Sequence, residues 1–199
     1  MGLDNLTETL PEKELALLKA ALEMINNSGF HDAPMSKIAK NAGVAVGTIY
    51  IYFKSKQELI NKLYITVKRD FCQKAFGNIE LNEHKPDEAT FRQLWYNIAN
   101  YKIKNKAESA FLMQCDTSPI VDKETFKKGI EFMNPLLEIW QYGKENKIIK
   151  DVSSYLLYAY FVYPINFLIF TAYERYDSQE CESLFGEAYR AAWDAIKLR

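Results

Sequence analysis

Apolar residues recur at three- and four-residue intervals along most of the chain, the spacing of one helix face after another. Leu15, Leu18, Leu22 and Ile25 mark a first helix. Thr9-Leu10-Pro11-Glu12 opens it as a capping box with proline in the first turn, and Gly29 closes it. A short second helix is expected over Met35–Ala42, stopped by Gly43, and a third over Val46–Phe53. Ser55 and Glu58 form a capping box for a longer fourth, with Leu59, Leu63, Val67 and Phe71 on one side. Gly77–Pro86 reads as a linker. A fifth helix carries Phe91, Leu94, Trp95 and Ile98, and a sixth covers Ala107–Cys115. A seventh carries Phe126, Ile130, Met133, Leu137 and Trp140, kinked at Pro135. An eighth runs from about Val152 to Arg175. Asp177 with Glu180 caps a ninth, whose stripe is Cys181, Leu184, Phe185, Ala188, Ala192 and Ile196. There is no alternating strand pattern and no internal repeat, so the fold class is all-α.

Composition agrees. Only 8 glycines and 6 prolines punctuate the chain, and 48% hydrophobic residues are enough for a core. The run MGLDNLTETLPEKE lacks a basic and then apolar segment, so a secretory signal is not expected. Cys72, Cys115 and Cys181 are odd in number and outside any CxxC spacing. We read them as reduced, buried thiols of a cytoplasmic protein, with no metal or other cofactor.

The net charge of −1 hides a segregation. Residues 33–69 carry Lys37, Lys40, Lys54, Lys56, Lys62, Lys68 and Arg69 against Glu58 alone, a net of +6. Such a patch can meet phosphates, although a solvated helix face looks the same on charge alone.

Residues 35–53, MSKIAKNAGVAVGTIYIYF, sharpen the reading. Two short helices that cross closely need a small residue such as Ala39. The reversal between them needs the positive φ that Gly43 adopts easily. Ile38, Val44 and Ile49 would anchor the pair, leaving the outer face of the third helix free for a DNA major groove. That face would carry Gly47 and Thr48 at the helix start, near backbone N–H groups, then Tyr50 and Tyr52. Lys56 opens the next helix.

The string Ile38-Ala39, Ala42-Gly43-Val44-Ala45-Val46-Gly47-Thr48-Ile49-Tyr50-Ile51-Tyr52-Phe53, then Lys56, resembles the signature of the TetR family of bacterial repressors. The match covers roughly residues 11–70. Two positions depart from the pattern. Pro34 stands where a capping Thr is usual, so Ser36 or Lys37 would substitute for its phosphate contact, and Ala45 replaces the serine of the turn. With Val46, these complete the expected DNA-binding set. The resemblance implies a helix-turn-helix domain over 1–54, a linking helix over 55–77 and a helical ligand-binding and dimerisation domain over 78–199. It further implies a homodimer formed through the last two helices, a palindromic double-stranded operator and a small-molecule effector, apolar or aromatic.

Residues 155–173 hold no charge over nineteen positions, long enough to cross a membrane. Five tyrosines, Asn166 and a central Pro164, without a basic flank, favour a buried helix instead, and no membrane partner is expected. Trp95, Phe111, Phe126, Trp140, Tyr163 and Phe167 are the candidates to line a ligand cavity, against ordinary core packing. The alternative is a membrane-associated or structural helical protein. With only His31 and His84 and no hydrolase, P-loop, zincin or dinucleotide motif, an enzyme is the weakest reading.

Overall fold

The computed structural model of the chain describes residues 3, 10–77, 79, 86–172, 175 and 178–198. Among them the only β-type pairing is one isolated antiparallel bridge, Ile149 with Lys197. The rest of the regular structure is helical, as the spacing predicts. The Thr9 cap, the Asp177 cap and most of the linker lie outside the described residues.

The order is α1 (Glu12–Ser28), α2 (Met35–Asn41), α3 (Val46–Tyr52), α4 (Lys56–Phe76), α5 (Glu88–Lys104), α6 (Lys106–Thr117), α7 (Lys123–Glu131) and α8 (Asn134–Glu145). Then come α9 (Ser154–Leu157), a π-helical turn (Tyr158–Val162), α10 (Tyr163–Phe167), a second π-helical turn (Leu168–Ala172) and α11 (Ser178–Ile196). Pro11 is the cap of α1 rather than part of its first turn, and Gly29 ends the helix at φ 80°, donating to the Ile25 carbonyl at 2.9 Å.

The chain forms two compact units, Met1–Cys72 with Lys104–Phe132, and Gln73–Ile103 with Met133–Arg199. This grouping differs from the division 1–54, 55–77 and 78–199, because α6 and α7 belong with the helix-turn-helix. In the first unit, Leu17, Leu18 and Ile25 of α1, Ile38, Ile49, Leu59, Leu63 and Phe111 are fully buried. Asn26 ties α1 to α6, its amide donating to the Ala107 carbonyl at 2.9 Å and its oxygen accepting from Gln114 at 3.2 Å. The turn before α7 is tied to α4. Gln57 donates to the Ile120 carbonyl at 3.0 Å, and the Asn61 amide donates to Asp122. Helical periodicity marks each buried face but not its partner, so the sequence carries no sign of this grouping.

The second unit packs aromatics. Phe91 meets Phe161 edge-on at 6.2 Å, and Trp95 meets Phe185 and Tyr189 edge-on at 5.9 and 5.8 Å. Trp95 also donates its indole N–H to the Phe161 carbonyl at 2.9 Å.

Two expected helices are divided. The seventh separates into α7 and α8 at Phe132–Met133, and Pro135 occupies the first turn of α8 instead of kinking a continuous helix. A proline lacks the N–H that an interior position needs and fits a helix start. The eighth is interrupted by the π-helical turns, with Pro164 in the first turn of α10. Its Ser154–Thr171 stretch is long and apolar enough to cross a membrane by composition alone, with a mean hydropathy of 1.3.

Candidate DNA-binding face

The geometry of α2 and α3 begins with Gly43. At φ 70° it reverses the chain, while its N–H reaches the Lys40 carbonyl at 3.1 Å and the Val44 N–H reaches that of Ala39 at 3.0 Å. Ala39 is fully buried at the crossing, beside Ile38. From α3 only Ile49 is buried, and Phe53 follows it into the core. The anchors expected from spacing therefore do anchor the pair, though Val44 is only half-buried.

The opposite face is open. Val46 is 47% exposed, Tyr50 52% and Ile51 80%, with Gly47 exposed beside them. Ser36, Lys37, Lys40, Gly43, Val44, Ala45 and Val46 line an open concavity of about 530 Å³. Ala45 precedes α3 and makes no side-chain capping bond, and Pro34 before α2 makes none either. Thr48 and Tyr52 are half-buried at the edge of the face.

The structure thus brings together Ser36, Lys37, Ala45, Val46, Gly47 and Tyr50, with Thr48 and Tyr52 beside them. Lys56 is directed elsewhere. Its ammonium donates to the His31 carbonyl at 3.2 Å and lies 4.4 Å from the Phe30 ring centre, on the loop after α1. Burial lowers its pKa, with Asp32 acting the other way. Sequence reasoning counted Lys40 in the basic patch without assigning it to this face, and it missed Ile51. Lys40 lies one turn beyond Ser36 and Lys37, a spacing that could have placed it there. Of the other bases in the patch, Lys62 pairs with Glu14 at 3.3 Å and Lys68 is buried, whereas Lys54 is exposed.

The six aromatics expected around a ligand are divided between the units. Phe111 and Phe126 belong to the first; Trp95, Trp140, Tyr163 and Phe167 belong to the second. Trp95, Phe111 and Trp140 are core residues, Phe126 is half-buried, and Tyr163 and Phe167 are exposed.

The comparisons agree with this geometry. The family description "Bacterial regulatory proteins, tetR family" matches residues 17–63, and "Tetracyclin repressor-like, C-terminal domain" matches residues 86–197. The fatty acid metabolism regulator protein of Bacillus subtilis is 48% identical over 68 residues, 34% of this chain and 35% of that protein. An uncharacterised HTH-type transcriptional regulator of Haemophilus influenzae is 33% identical over 103 residues, 52% of this chain and 54% of its own. The chain thus spans about a third to a half of these curated relatives. A TetR family transcription regulator from Marinobacter aquaeolei has the same fold, with a TM-score of 0.82 at 23% identity, covering 94% of this chain and 97% of that one.

Fold and face together define a helix-turn-helix transcriptional regulator, not an enzyme. The chain belongs to the TetR family.

Proposed function

We propose that this regulator is a cytoplasmic homodimeric repressor that holds a palindromic operator and releases it when a small, largely apolar ligand binds. The observation that carries the reading is the outer face of α3. Val46, Tyr50 and Ile51 stand in solvent at a site where only Ile49 faces the core. Exposed apolar side chains flanked by Lys37 and Lys40 suit thymine methyls and phosphates.

A second exposed strip supports the dimer. Tyr155, Leu156, Tyr160, Tyr163 and Phe167 are all exposed along residues 155–167, with Tyr155 at 82% and Phe167 at 66%. A monomer rarely leaves so continuous an apolar patch in water. A second copy covering it would make a two-fold dimer, and a palindrome has two-fold related half-sites about 34–36 Å apart. The Bacillus subtilis relative is named for fatty acid metabolism, and an acyl chain is one ligand of the apolar class.

Fluorescence anisotropy tests the reading. The protein should bind a palindromic duplex recovered from a randomised pool and release it on addition of its ligand. Binding that persists with every ligand that stabilises the fold defeats the release step.

A further inference from the structure

The sequence VGTIYIY of α3 holds no Arg, Lys, Asn, Gln, Asp or Glu. Those are the side chains that pair with guanine or adenine, or accept from cytosine, in the major groove. The hydrogen-bond code of the base edges therefore has little to meet it on this helix. Thr48 and Tyr52 are half-buried, and Tyr50 alone carries an exposed hydroxyl-bearing side chain.

What α3 does present is apolar. Among the described residues of its unit, Val46, Tyr50, Ile51 and Ile130 are the exposed large hydrophobic side chains, and three of these four stand on this seven-residue helix. Val46 and Tyr50 are one turn apart, as are Gly47 and Ile51, so they form two adjoining rows on one side. Ile51 is the most exposed of them at 80%. Gly47 leaves a gap beside it that the fold does not require, since a Cβ there would meet no atom within 4 Å. A missing side chain lets a base edge come close to the backbone. Charge complements the shape. Lys37, Lys40 and Lys54 are exposed around α3, and neither α2 nor α3 carries an acid. Phosphates can rest on those cations while the bases meet an apolar ridge.

The apolar group that a base edge offers in the major groove is the 5-methyl of thymine. We propose that the operator is read chiefly through thymine methyl groups, and that Ile51, with Val46 and Tyr50 beside it, is the residue that selects them. The inference rests on the operator-binding reading above and adds which group of the operator carries the choice and which side chain makes it.

Fluorescence anisotropy of the full-length protein on three duplexes tests it: the selected palindrome, the same palindrome with deoxyuridine for every half-site thymine, and a scrambled sequence. Deoxyuridine keeps the base pairing and removes only the methyl. Burying one methyl is worth about fourfold in affinity, so two symmetry-related contacts should favour thymine over uracil by at least about tenfold in the wild type. Ile51→Ala should lose affinity for the thymine duplex and discriminate the two by no more than about twofold. Its melting temperature should match the wild type, because Ile51 stands outside the core. The proposal is overturned if the selected half-sites lack thymine or if the wild type binds thymine and uracil duplexes alike. It is equally overturned if Ile51→Ala keeps the ratio, which would assign the effect to duplex shape or to another side chain. A melting temperature well below wild type would contradict the open position of Ile51. Palindrome preference that survives the change to uracil sinks methyl readout alone, whereas equal affinity for all three duplexes sinks the operator reading with it.

Discussion

At Gly129 a side chain has no room: a Cβ there would stand 2.4 Å from the Tyr64 ring and 2.5 Å from its hydroxyl. Alanine normally gains about 0.5–1 kcal/mol over glycine inside a helix. Here the contact is with a rigid, fully buried ring, and overpacking costs about 1–3 kcal/mol. Gly129→Ala should therefore destabilise the protein in urea denaturation. Asp122 gives a pH prediction. Its carboxylate accepts the Thr125 N–H at 2.7 Å as the cap of α7, and that bond chiefly holds its pKa below the ordinary value. A depressed folded pKa adds stability above the unfolded value and loses it as pH falls through the folded one. Asp122→Ala should cost about 1 kcal/mol at pH 7, and the gap from wild type should close below about pH 4. The inward residues were legible at this scale: Ile38, Ala39 and Ile49 follow from spacing and size. The direction of Lys56 was not, because its acceptor, His31, is a distant backbone carbonyl.

Between α2 and α3 the face divides into positioning and reading. Lys37 and Lys40 are exposed cations on α2, and Lys37→Ala or Lys40→Ala should weaken all duplexes and each reduce the salt slope by about 1. Tyr50→Ala should instead damage the selected palindrome more than a scrambled duplex, by about 1–3 kcal/mol. Binding of both duplexes across a salt series measures both effects. Element existence was legible from the 3.6-residue period. Element continuity was not. Ile130, Met133 and Leu137 keep helical spacing across the break between α7 and α8, so the pattern reads straight through it. Pro135 was the visible sign, and its place in a first turn decided between a kink and a new start.

For the molecule as a whole, the uncharged run 155–173 was legible as unusual, but its use was not. In the structure its described part supplies both core, through Leu157, Phe161 and Ile165, and the exposed strip of Tyr160, Tyr163 and Phe167. Tyr160→Glu with Phe167→Glu should give a folded monomer by light scattering, and palindrome preference should fall with it, since each protomer would then read one half-site alone. The most direct test of the account is the affinity of the wild-type protein for its selected palindrome against a scrambled duplex at physiological salt. A preference of about a thousandfold or more is expected. Equal affinity for the two duplexes would contradict the outer face of α3 as a reader of DNA sequence.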